Sequence, residues 1–67
     1  MNVNLFKFYA AENGDRMQDI AAALGKSVAT VSAKLHGKAG DFSRRDIVVL
    51  KKRWNLTLEQ CSDIFLS

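Results

Sequence analysis

The chain predicts an all-α domain of five short helices, and three observations carry that expectation. Apolar residues recur at three and four positions rather than at two, proline is absent, and small polar capping patterns open successive segments. No low-complexity tract interrupts the pattern. Sixty-seven residues form one domain, 1–67, near the size at which a single hydrophobic core is only marginally stabilising, so added order from a partner is expected and a deep-pocketed enzyme is not.

A first helix, about Asn2 to Glu12, carries Val3, Leu5, Phe6, Phe8, Tyr9 and Ala10 almost all round its circumference. One buried stripe needs fewer, so aromatic surface around Phe6, Phe8 and Tyr9 should remain exposed. Asn13 and Gly14 end that helix. Asp15, with Gln18 three residues later, offers a capping pair for a second helix, Arg16 to Leu24, whose inward face is Met17, Ile20, Ala21 and Leu24. Gly25 supplies the left-handed residue that lets one helix stop and the next begin almost at once. Ser27 caps a third helix, Val28 to His36, with Val28, Val31 and Leu35 on one side. Gly37 closes it, and Lys38 to Asp41 form a polar loop. Phe42, a Ser43 cap, Asp46 at the third helical position and a stapling Ile47 at the fourth announce the next helix, which points Ile47, Leu50 and Trp54 inward. Thr57 and Gln60 open a last short helix with Cys61, Ile64 and Phe65 on its apolar face. Trp54 reads as the bolt between the last two helices, and Lys51, Lys52 and Arg53 as a solvated face.

Charge is modest in total, formally +3, but unevenly placed. Residues 26–53 hold Lys26, Lys34, Lys38, Arg44, Arg45, Lys51, Lys52 and Arg53 against only Asp41 and Asp46, whereas the flanking segments lean acidic. Such a block suits a polyanion-binding surface. A lone cysteine excludes an internal disulfide, and one cysteine with one histidine supplies no zinc-type ligand set; no cofactor or metal is expected. His36 reads as a cap or phosphate neighbour rather than a catalytic base, and Cys61 as a core residue. No signal peptide or membrane-spanning run is present, and a reducing cytoplasm fits best.

The second and third helices, joined by a three-residue turn containing glycine, have the spacing of a helix-turn-helix, about 16–36. Ala21 is small enough for close approach, Gly25 follows four residues later, and Val31 six beyond that can fill the angle. Through Ile20, Ala21, Leu24, Gly25, Ser27, Val31, Ser32 and the run VSAKLHGK, then FSRRDI and WNLTLEQCSDIF, the chain resembles the lambda-type phage repressor and Cro group of Xre-like helix-turn-helix domains. The resemblance covers nearly the whole chain. It implies a compact five-helix lambda-repressor-like fold, frequent homodimers, a third helix entering the major groove of double-stranded DNA, and a role in phage or mobile-element transcription.

On that implication the base-facing positions are Val28, Ala29, Thr30, Ser32 and Ala33, and the phosphate-contacting ones are Arg16, Gln18, Lys26, Lys38, Arg44 and Arg45. Only Ser32 and Thr30 in the first set carry side-chain hydrogen-bonding groups, while valine and alanine offer little beyond contact with a thymine methyl. Two readings follow. In the first, phosphate contacts supply affinity while methyl contacts and groove shape supply preference. In the second, the same scaffold is an antirepressor, its smooth third helix packing on a phage repressor protein and masking that protein's DNA surface.

Overall fold

A computed structural model describes residues 1–66 and places five α-helices in them, with no strand among the described residues: α1 (Val3–Glu12), α2 (Met17–Leu24), α3 (Val28–Leu35), α4 (Arg44–Arg53) and α5 (Leu58–Phe65). Local chemistry sets the starts. The Asn2 carboxamide accepts the Leu5 amide at 3.1 Å, Ser27 Oγ accepts that of Thr30 at 3.1 Å, and the reciprocal pairs Ser43/Asp46 and Thr57/Gln60 close full capping boxes on α4 and α5.

The start of α2 differs from expectation. Its cap is Arg16, whose backbone N–H donates to Asp19 Oδ2 at 2.9 Å, and not the pair Asp15 and Gln18. Only half a capping box forms, because a guanidinium has no acceptor to offer the first-turn amides. Asp15 is drawn away by stronger partners: its Oδ2 accepts Arg53 Nε at 2.7 Å and Trp54 Nε1 at 2.8 Å, and its Oδ1 accepts Arg53 Nη2 at 2.8 Å. Arg53, expected on a solvated face, is thus the outer half of an ion pair.

One device ends four helices in succession. At Gly25 (φ 66°) the amide donates to Ala22 O at 3.2 Å while the next amide, of Lys26, reaches back to Ala21 O at 2.9 Å. The same two bonds recur around Gly14, Gly37 and Asn55, and satisfy carbonyls that the helix leaves unpaired. Asn55, at φ 51°, is the single non-glycine residue at positive φ in the chain's described part, and asparagine is among the few side chains that tolerate it.

The core takes one essentially inaccessible side chain from each helix: Phe6, Ile20, Val31, Leu50 and Ile64. Each such burial contributes roughly 1.5–3 kcal/mol, against about 1 kcal/mol for a cap, so burial decides which face turns inward and caps decide where the turn begins. Phe6 stacks on Phe42 with ring centroids 5.5 Å apart and meets Trp54 edge-on at 5.1 Å. It therefore belongs to the core and not to an aromatic surface, leaving Phe8, 52% exposed, as the outward ring of α1. Trp54 reaches α1 through Phe6 and the α1–α2 turn through Asp15. Val28 is also displaced from the expected inward line, being 45% exposed, so Val31 and Leu35 alone turn α3 inward.

Two polar contacts orient the scaffold that carries the candidate site. Asp15 meets Arg53 and Trp54 just before α2 and at the end of α4; Lys26 Nζ lies 3.7 Å from Asp46 Oδ2, just after α2 and in the first turn of α4. These two pins run α2 antiparallel to α4.

Candidate nucleic-acid interface

The site is built from three pieces: the α2–α3 turn, the outward side of α3 and the start of α4. Helix α3 packs against α2 more extensively than any other pair of helices does. Val31 and Leu35 are buried there, so the helical period of 3.6 residues leaves Ala29 and Ala33 on the far side, with Val28 and Ser32 on one flank and Thr30 on the other. Val28 and Ala29 are exposed, whereas Thr30, Ser32 and Ala33 are half-buried.

The polar groups of α3 are largely committed to its own neighbourhood. Ser27 Oγ donates to Thr30 Oγ1 at 2.9 Å, which leaves that hydroxyl its proton to offer outward. Lys34 Nζ donates to the carbonyls of Asp41, at 3.2 Å, and Ala39, at 3.4 Å, stapling the last turn of α3 to the loop before α4. Lys38 sits inside the loop so braced, and its backbone N–H, donating to Ala33 O at 2.8 Å, holds its backbone directly against the end of α3. His36 caps α3 and is exposed, lining an open cleft of about 360 Å³ with Met1, Val3, Lys34, Leu35, Gly37 and Asp41.

Arg44 and Arg45 occupy the first two positions of α4, and both are exposed. Cations there oppose the positive end of the helix dipole, a local disadvantage of a few tenths of a kcal/mol each. Asp46, in the same turn, offsets it. The Lys26–Asp46 contact sets this dibasic start beside the α2–α3 turn. Arg16 and Gln18 are exposed as well, but they open α2, about 11 Å of helix from Lys26.

Sequence spacing did not reveal that Asp46 would be buried, with 4% of its surface exposed, while facing Lys26. Its position three residues after Ser43 signalled a cap and nothing longer-ranged. The Arg53 guanidinium, through its hydrogen bonds, holds the Asp15 carboxyl below the usual carboxylate range, while burial pushes the Cys61 thiol up, as suits a core residue and not a nucleophile. No cluster of His, Cys, Asp and Glu with the makings of a metal site occurs among the described residues, nor is any described helix long and apolar enough to cross a membrane.

Searches against family models, curated proteins and solved structures return no match for this chain. The functional reading therefore rests on the residues themselves.

Proposed function

We propose that the protein is a small phage or mobile-element transcriptional regulator of the lambda repressor and Cro kind, binding operator DNA as a dimer, with α2, the Gly25 turn and α3 as its helix-turn-helix. Helix α3 with its cap, residues 28–36, lies in the major groove. Arg44 and Arg45, with Lys38 on one side and Arg16 and Gln18 on the other, contact phosphates. The observation that carries this reading is the dibasic start of α4 held beside the α2–α3 turn by the Lys26–Asp46 contact. Affinity comes from the backbone; sequence preference comes from methyl contacts by Val28 and Ala29, from the Thr30 and Ser32 hydroxyls and from groove shape. Fluorescence anisotropy against intergenic DNA of its own locus tests it. Binding that weakens steeply with salt is expected, and no binding even at low salt rules the reading out.

A second reading is favoured by one observation, the outward face of α3, where Val28 is 45% exposed beside Ala29 and no long polar side chain points outward. An antirepressor would lay that face on a repressor protein encoded nearby. Calorimetric titration with that repressor, set beside the DNA titration, separates the two. A stoichiometric protein complex abolished by Ala29→Arg, with no DNA binding, would replace the first reading.

A further inference from the structure

The basic residue nearest the α2–α3 turn is not free in the way the other exposed cations are. Lys26 sits immediately after the left-handed Gly25, its amide tied to Ala21 O at 2.9 Å, so its backbone is fixed by the end of α2. Its ammonium lies 3.7 Å from Asp46 Oδ2, and its side chain is 28% exposed against 5% for that of Asp46. The same Asp46 oxygen also accepts the Ser43 amide at 3.2 Å, while the Asp46 amide donates to Ser43 Oγ at 3.2 Å. Asp46 therefore joins two jobs in one carboxylate. It closes the cap that starts α4, and it faces the lysine that follows α2.

From this geometry we infer that Lys26 is a positioning residue rather than a phosphate contact: with Asp46 it forms a strut that fixes where Arg44 and Arg45 stand relative to α3. The inference rests on the DNA-binding reading above and sharpens it. A nearly inaccessible carboxylate without its cation would be left poorly compensated, so releasing Lys26 to a phosphate would strand Asp46 inside the fold. Arg44 and Arg45 directly precede Asp46 in the same helical turn, so a shift of that turn moves both guanidinium groups at once. Lys26 then contributes to binding through them.

The sign of one substitution distinguishes the two roles. Asp46→Asn keeps an oxygen to accept the Ser43 amide but removes the charge facing Lys26 and raises the net charge by one. If Lys26 were a phosphate contact restrained by Asp46, freeing it would tighten binding to a polyanion. The strut requires the opposite, a weakening of about fivefold, on the scale of coupled neighbouring residues. Lys26→Met, which keeps the aliphatic stem, should weaken binding to a similar degree.

The experiment is fluorescence anisotropy of the full chain with a duplex from its own locus, over a range of salt concentrations, with circular dichroism confirming that each variant is helical. A further readout separates positioning from general loss of stability: Lys26→Met should cost nothing more once Arg44 and Arg45 are both alanine, yet add fully to Lys38→Ala. Lys26→Arg should restore most of the binding. Tighter binding by Asp46→Asn, or equal additivity of Lys26→Met with both backgrounds, overturns the inference while leaving the DNA-binding reading intact. Failure of the unmodified protein to bind any duplex at low salt removes both. Should Asp46→Asn fail to fold, the additivity of Lys26→Met in the two backgrounds still distinguishes a strut from a phosphate contact.

Discussion

Replacing Asp15 by alanine removes the acceptor of three hydrogen bonds at once, and the burial of its partners sets the cost. Trp54 is 4% exposed, and its indole N–H, 2.8 Å from Asp15 Oδ2, would be left without a partner, a loss of about 1–3 kcal/mol. The Arg53 side chain is 40% exposed and can turn to water, so its share is the smaller one. The cost is therefore about 1–3 kcal/mol, set by the indole, and a domain of this length loses roughly 4–8 °C in Tm per kcal/mol. Asp15→Asn should cost about half as much or less, because an amide oxygen can still accept from the indole. Guanidinium unfolding followed by fluorescence reads the same site that is perturbed, since Trp54 is the chain's one tryptophan. The acid limb supplies an independent check. Arg53 holds the folded-state Asp15 carboxyl below its ordinary value, so the stabilisation is full above the unfolded value of about 3.9 and is lost as pH falls through the folded one. Wild-type stability should therefore drop more steeply in acid than that of Asp15→Asn. An Asp15→Ala variant within about 0.5 kcal/mol of wild type would refute the reasoning, as would equal costs for alanine and asparagine, given that typical surface changes fall in that range.

Three further outcomes are expected. Gly25→Ala should destabilise by about 1–2 kcal/mol in thermal melts, because its φ is 66° and a Cβ there meets only open space, which makes the cost purely one of backbone conformation. At Asn55 the melting order should be glycine at or above asparagine, with alanine clearly below both; alanine equal to asparagine would show that the left-handed turn is not held. Alanine at Arg44 or Arg45 should weaken binding to every duplex alike and make the salt slope shallower by about one unit per contact, whereas changes at Ala29 or Ser32 should reorder preference among duplexes, read by competition titration.

What was legible in the sequence divides by distance along the chain. Caps act over three residues, and Ser27, Ser43 with Asp46, and Thr57 with Gln60 were readable because donor and acceptor lie within one turn. For the start of α2 the spacing pointed to Asp15 with Gln18, and the chain uses Arg16 with Asp19 instead. The outcome depended on Arg53 and Trp54, 38 and 39 residues away, which claim Asp15 and leave Asp19 to the cap. The over-apolar α1 was resolved in the same way. Phe6 and Phe8 are alike as local signals, but Phe42 and Trp54 surround only the first. At the candidate interface, residue types were legible and their pairing was not: Lys26 and Arg53 look as free in sequence as Lys38 and Arg44, and each instead faces a carboxylate.

The two pins that run α2 antiparallel to α4 differ in a way that separates folding from binding. At the Asp15 end the contacts are 2.7–2.8 Å, include a buried indole and lock the α1–α2 turn to the end of α4. At the Lys26 end the single charge contact is longer, 3.7 Å, and its lysine is partly in water. At 3.7 Å the second is an ion pair beyond hydrogen-bond length, whereas the first adds hydrogen bonds that include a buried indole, so the first pin carries more stability than the second. The second, however, lies where the α2–α3 turn meets Arg44 and Arg45, and there a small displacement changes what two cations can reach. Breaking the Asp15 pin should thus lower Tm and leave the affinity of the folded protein for DNA nearly unchanged, whereas breaking the Lys26 pin should lower affinity beyond what its own loss of stability explains. If both variants lower stability and affinity in proportion, the two ends of α2 act as one rigid unit and the division of labour argued from their geometry is absent.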